Sequence, residues 1–437
     1  MTMNPTYEQR DLDLIWHPCS QMKDYETLPP IVIDHGKGVW LYDMHGHKYL
    51  DIVSSWWANL LGHCNPDINA AIKEQLNQLE HVIFANFRHK PAIALAEQLN
   101  RSTPTKIRKF HFNDNGSASV ECALKMCFQF YQQGGKPEKK RFMCLTGGYH
   151  GETIGALSVG SMDLYAKLYQ PMMMDNIHIE APDCYRCPYG KMRDHCQCEC
   201  FEHAEQAFAA HGSETAAMIA EPLLQGSAGM RIYPPLYLRK LRQLCDCYDV
   251  KLILDEIATG FGRTGTMFAC EQAGISPDIM CISKGLTGGY LPMSVTCVSQ
   301  EIYDAFYADY GEGRAFLHSH TYAGNPLGCA AALAVQKALR AVNDRTDASG
   351  QVEVALRACA AGAVRECHSV VAAVVQRVRR RDNRTSGLRR DRLHAQPAGD
   401  HDDRLRPLRY GVRQSAFCLH AVAQKIQIHR AKHFFAQ

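Results

Sequence analysis

The sequence predicts an α/β protein built on a mostly parallel sheet with helices on both faces. Three observations predict it. The strands read as short, continuous apolar runs, such as 216–220 and 279–282, which is the pattern of strands buried on both sides. These runs alternate with segments of helical periodicity, which implies crossover connections and parallel neighbours. The residues best suited to chemistry stand directly after strand ends, where open α/β sheets bind their ligands. At 437 residues the chain exceeds one ordinary core, so more than one domain is expected.

In chain order, residues 31–52 read as short strands broken at Gly36, Gly38 and Gly46. Ile68, Ile72, Leu76 and Leu79 recur at helical spacing over 66–79, and 91–99 repeats that pattern. Residues 109–112 form a strand and 113–117 a polar turn, and 118–131 form a helix with Val120, Ala123, Leu124, Cys127 and Tyr131 inward. A strand at 141–145 runs into Gly147-Gly148. Strand 216–220 ends at Glu221-Pro222, and helix 237–248 leads to strand 250–254 and Asp255. Strand 279–282 ends at Ser283-Lys284, and an Ala-rich helix fills 326–340.

Composition narrows the function. Hydrophobic residues make up 46% and charged residues 21%, with a formal charge of +3. Neither nucleic acid nor a membrane is expected as a partner, because the chain has no bulk charge excess and no long uncharged apolar run. Residues 1–11 are polar and lack a signal-peptide core, so a cytoplasmic location is expected. Most of the nineteen cysteines lie singly in apolar segments, for example Cys122, Cys127 and Cys281, as buried reduced thiols do.

Lys284 follows an apolar strand and precedes Gly285, Gly288 and Gly289. A lone strand-end lysine is usually a surface charge, but a desolvated lysine is also the nucleophile that forms Schiff bases with carbonyl cofactors. Asp255 favours the second reading. Alone it would be a helix N-cap; paired with Lys284 it becomes the carboxylate that keeps the ring nitrogen of pyridoxal phosphate protonated. The turn Asn113-Asp114-Asn115-Gly116-Ser117 offers free N–H groups, an open glycine and a hydroxyl to an anion. It is not a Walker loop, since no Gly-Lys-Ser/Thr follows. In Gly147-Gly148-Tyr149-His150-Gly151, Tyr149 either stacks on a cofactor ring or fills the core, and the flanking glycines favour an open backbone.

Together these residues resemble the class III, fold-type I aminotransferases. The stretch from Leu254 to Gly265 (Leu-Asp-Glu-Ile-Ala-Thr-Gly-Phe-Gly-Arg-Thr-Gly), then Ser283-Lys284 and Gly288-Gly289, is similar to that family's signature, and the likeness runs from about 15 to 345. It implies a large domain over 66–335, with a mostly parallel sheet flanked by helices, and a smaller domain built from both chain ends, 1–65 and 336–437. It implies pyridoxal 5'-phosphate as cofactor and Lys284 as the catalytic lysine that holds it and shuttles the proton. Asp255 is then the pyridinium partner, Gly116 and Ser117 the phosphate turn, and Tyr149 the residue against the ring. His320 and Thr321, in the stretch from His318 to Pro326, resemble cofactor ligands donated across the interface of a homodimer.

Within the class, Trp56 and Trp57 discriminate. From the residues alone the pair could also be a core or interface staple. It resembles the substrate wall of members that pass the amino group of S-adenosylmethionine to 8-amino-7-oxononanoate in biotin synthesis, by a ping-pong reaction. Trp16-His17-Pro18, Gly229-Met230-Arg231 and Tyr149-His150-Gly151-Glu152 point the same way. The implied substrate-binding set is Cys19, Trp56, Trp57, Tyr149, Arg263, Lys284 and Ser319. Arg263 resembles a signature arginine near the active site, and Cys19 stands where the best-known members carry a tyrosine. Another ω-aminotransferase, acting on ornithine, 4-aminobutyrate or a diamine, is the alternative.

Two features stand apart. Cys184-x-x-Cys187 is followed by Cys196, Cys198 and Cys200, with His195 and His203 nearby. That spacing suits zinc or an iron–sulfur cluster, or else a reduced loop without metal; no metal is expected in the reaction itself. Between Arg357 and Arg413 there are fourteen arginines and no lysine, with no sustained period. The stretch 357–415 reads as the product of a shifted reading frame rather than as a basic arm, with lysines returning at Lys425 and Lys432. A chain so altered could bind cofactor without turning over.

Overall fold

In the computed structural model of the protein, residues 5–349 are described. The chain divides into the units Met1–Gln336 and Lys337–Gln437, and the sheet and the candidate site belong to the first. The arginine-rich stretch 357–415, with its shifted-frame reading, lies outside the described residues.

Strands β1 (Ile33–Lys37), β2 (Trp40–Asp43) and β3 (Lys48–Leu50) form a small antiparallel sheet. The remaining strands are β4 (Ile107–Asn113), β5 (Arg141–Leu145), β6 (Ile177–Ile179), β7 (Thr215–Ala220), β8 (Leu224–Gln225), β9 (Arg231–Ile232), β10 (Lys251–Asp255), β11 (Ile279–Ile282) and β12 (Ser294–Ser299). Seven of them make the main sheet, in the order β4-β12-β11-β10-β7-β5-β6. Only β12 runs against the others, antiparallel to both β11 and β4. The α/β expectation therefore holds, with one reversed strand inside the sheet.

Every residue of β7, β10 and β11 is buried, which is why these strands read as unbroken apolar runs. Ala217, Ile219, Ile253, Ile279 and Cys281 share a core with Val120, Ala123 and Cys127 of the helix Gly116–Gln133. The alternate residues Met218, Leu252 and Met280 point to the other face and are also fully buried. Each large aliphatic side chain so covered contributes about 1.5–3 kcal/mol relative to exposure.

Local chemistry sets the ends of the elements. The helix predicted from residue 118 starts at Gly116, because the Asn115 side chain caps it by accepting from Ala118 N at 3.0 Å. The helix predicted over 66–79 stops at Leu76, which is 53% exposed. Gly36 does not break a strand. It lies inside β1, where an added Cβ would meet His63 at 2.9 Å, whereas Gly38 and Gly46, at φ +59° and +80°, lie between strands. Among the described residues no helix is long and apolar enough to cross a membrane.

The consequence for function is positional. Turns or side chains following β4, β5, β7, β10 and β11 all emerge at the carboxyl edge of the sheet.

Candidate active site

Lys284 follows β11 with a left-handed backbone, φ 46°, which turns its side chain out of the strand direction. A non-glycine residue in that region is strained, and such strain concentrates at functional sites. Burial pushes the amine below the usual lysine range, with Arg263 adding to the effect and Asp255 and Glu221 opposing it. A lysine so placed is more readily neutral and nucleophilic. Its Nζ stands 5.1 Å from the centroid of the Trp57 ring.

Trp57 belongs to an unusual turn. Ser54, Ser55, Trp56 and Trp57 all have positive φ, between 47° and 61°. Left-handed backbone costs roughly 1–2 kcal/mol per residue, so the turn needs external clamps. Ser55 N and Oγ donate to Asp51 at 2.9 and 2.8 Å. Arg263 Nη2 donates to the carbonyls of Trp57 and Asn59 at 2.9 and 3.3 Å. Gly289, at φ +84°, leaves room for the backbone of Ala58 and Asn59, which a Cβ there would meet at 3.0 Å. Arg263 thus acts on the turn that carries the tryptophans. Trp57 faces Lys284, while Trp56 is 61% exposed in the single chain.

Asp255 closes β10 and is buried. Its Oδ2 hydrogen-bonds His150 Nδ1 at 2.7 Å, and its Oδ1 accepts from Ile257 N at 3.1 Å. Glu221, just past β7, is buried nearby. It accepts from Gly226 N at 2.9 Å and Tyr149 N at 3.2 Å. Burial pushes its carboxyl up to about 7, His150 opposing and Asp255 assisting. A buried histidine and two buried carboxyl groups therefore meet under the lysine. Sequence reading singled out Asp255 but gave no role to His150 or Glu221. The signal for Glu221 was its place at a strand end, the same signal that marked Asp255.

The turn Asn113–Ser117 lies beside this group. A Cβ on Gly116 would meet Ile257 Cδ1 at 3.0 Å, so the turn approaches the residues that follow Asp255. Gly151, at φ +122°, faces Ser117: a Cβ there would fall 2.1 Å from Ser117 Oγ. The first N–H groups of the helix Gly116–Gln133, with the Ser117 hydroxyl, point an anion site at the same edge.

Tyr149 OH donates to Glu152 Oε1 at 3.0 Å, and Cys19 Sγ lies 3.8 Å from the same oxygen. Burial, then the Glu152 charge, pushes the Tyr149 hydroxyl well above its usual range. The structure thus brings Lys284, Asp255, Gly116, Ser117, Tyr149, Arg263, Trp57 and Cys19 into one region. His320 reaches only its outer side, with Nδ1 3.5 Å from Asp114 Oδ2. Ser319 and Thr321 are exposed and make no hydrogen bond to this group among the described residues.

These residues fit pyridoxal phosphate. A desolvated amine, a buried carboxylate, a helix N-terminus with a free hydroxyl, and glycines whose Cβ would fill the space are the donor set and the room that the cofactor requires. Fold and site together define a pyridoxal-phosphate-dependent aminotransferase. The comparisons agree. The model of the family described as aminotransferase class-III matches residues 21–362. The adenosylmethionine-8-amino-7-oxononanoate aminotransferase of Geobacter sulfurreducens is 46% identical, over 75% of this chain and 73% of its own. The crystal structure of the enzyme of that name from Methanocaldococcus jannaschii is 38% identical, with a TM-score of 0.73 over 79% of this chain and 77% of that one. An amine transaminase from an uncultivated Pseudomonas species, solved in a PLP-bound form, is 34% identical, with a TM-score of 0.71 over 76% and 75%. The chain belongs to the class III aminotransferases.

Proposed function

We propose that this chain transfers the amino group of S-adenosylmethionine to 8-amino-7-oxononanoate, giving 7,8-diaminononanoate for biotin synthesis. The observation that carries this reading is the 46% identity, over three-quarters of the chain, to an enzyme bearing that name. Trp57 beside Lys284, with Tyr149 and Cys19 close to Glu152, supplies an aromatic and polar wall that suits two dissimilar substrates used in turn.

Bound pyridoxal phosphate supplies the electron sink that lets an amino group leave one substrate and join the next. Lys284 would anchor it, and its desolvated Nζ would then carry the proton between substrate and cofactor carbons. Asp255, fixed by His150, would hold a proton on the ring nitrogen. Gly116 and Ser117 would receive the phosphate, and Tyr149 would cover the ring and exclude water. His320 and Thr321 are assigned to the phosphate across a homodimer interface, a role consistent with the exposure of Thr321 in the single chain. Cys19, Trp56, Trp57, Tyr149, Arg263 and Ser319 are assigned to the substrate. The small domain is assigned to 1–65 and 336–437, and the protein to the cytoplasm.

The test is a half-reaction. The cofactor-loaded protein is mixed with single amino donors while its visible absorbance is followed. Bleaching by S-adenosylmethionine, but not by ornithine or 4-aminobutyrate, is expected. Bleaching by the latter two alone would refute the assignment and favour an ω-aminotransferase, a reading supported by the 34% identity to an amine transaminase.

A further inference from the structure

The connection from β6 to the helix Glu202–His211 covers residues 180–201 and contains only two short 3-10 turns, Arg193–His195 and Glu199–Phe201. Connections of this length within a compact unit are uncommon without a function or a fastening. Among the described residues of this connection only Ala181, Pro182, Cys198 and Phe201 are buried, so little apolar surface holds it. One recess gathers its five cysteines, Cys184, Cys187, Cys196, Cys198 and Cys200, together with Lys191 and Arg193.

Cys184, Cys187, Cys196 and Cys200 are part-exposed in the recess, whereas Cys198 is buried. Cys184 lies within charge range of Cys196, Cys200 and Cys187, and Cys200 within range of Cys187 and Cys196. Cys198 lies near Cys196 and Cys200 as well but is turned under, 2% exposed with φ 59°, with Tyr237 and Lys240 also near it. The backbone fixes the first pair. Asp183 Oδ1 accepts from Tyr185 N and Arg186 N at 3.1 and 2.9 Å, and Gly190, at φ +63°, donates to Cys187 O at 3.0 Å.

We propose that Cys184, Cys187, Cys196 and Cys200 bind one zinc ion that fastens this loop. The Cys-x2-Cys and Cys-x3-Cys pairs have the spacing of closed structural zinc sites, and thiolates select zinc over harder divalent ions. Binding releases four thiol protons to solvent and leaves a net charge of −2 on the site; the recess also holds Lys191, paired with Glu199 at 3.3 Å, and Arg193 with Asp183. Among the described residues no three ligand side chains already stand at metal-binding spacing. The thiols line the recess and close on the ion by side-chain rotation, as ligands do where binding and ordering are coupled. Transamination needs no zinc, so the ion is structural.

Metal analysis and zinc-edge absorption of the purified full chain, grown with zinc, test this. About one zinc per chain with four sulfur neighbours at about 2.3 Å is expected. Cys184→Ser/Cys200→Ser should lose the zinc, while Cys247→Ser, at an exposed cysteine outside the loop, should keep it. Zinc held by nitrogen or oxygen, iron with labile sulfide, or no metal would each overturn the proposal. The unmodified protein decides these outcomes even if the double variant does not fold.

Discussion

Glu221→Gln isolates the energetic role of the carboxyl group buried beneath Lys284. Burial raises this group from 4.5 to about 7. Between those values the folded chain binds more protons at this position than the unfolded chain does, so stability falls as pH rises through the window. Full ionisation at 1.36 kcal/mol per pH unit costs about 3 kcal/mol, of which about 2 kcal/mol is lost between pH 5.5 and 8.5. Glutamine resembles the protonated acid. It keeps an acceptor for one of the Gly226 and Tyr149 amides and presents N–H to the other, a penalty that does not change with pH. Urea midpoints of the cofactor-free protein at pH 5.5, 7 and 8.5, for wild type and variant, give the comparison. The variant should gain about 2 kcal/mol on wild type across that range. Parallel pH profiles would refute the burial argument, whatever the offset between them.

Three further outcomes are expected. Lys284→Ala should lower transamination at least ~10³-fold, and borohydride in the presence of pyridoxal phosphate should label Lys284 in wild type only; normal amino exchange in the variant would remove the catalytic assignment. Asp255→Asn should bind cofactor yet lose roughly 10²-fold or more in kcat, read by single-turnover kinetics, because an amide cannot balance a protonated ring nitrogen. Gly151→Ala should weaken cofactor binding at least ~10-fold, measured by titration of absorbance, since the new methyl displaces Ser117 and strains a backbone at φ +122°.

The parts of the fold that are buried on both sides were legible. Strands β5 and β11 match the predicted ranges, because continuous apolar runs have one explanation in an α/β chain. Strands β6 and β12 were not anticipated. β6 has three residues with a central histidine, and β12 mixes serine and threonine with its apolar positions. At the site, Asp255 and Lys284 could be found because one ends a strand and the other stands just past one. The His150–Asp255 contact spans 105 positions in the chain and exists only through the sheet order. Likewise, nothing local says that Arg263 serves the carbonyls of Trp57 and Asn59.

The left-handed turn from Ser54 to Trp57 is held in an uphill conformation by Asp51 on one side and Arg263 on the other. Neither clamp contributes a side chain to the aromatic surface itself. The contour met by an incoming amine is therefore adjustable from the Asp51 side: loosening that clamp lets the turn relax and moves an indole relative to Lys284, while the lysine and its carboxylate partner stay in place. In such an arrangement, preference for one donor over another can drift through changes at the hinge, leaving the chemistry shared by all donors intact.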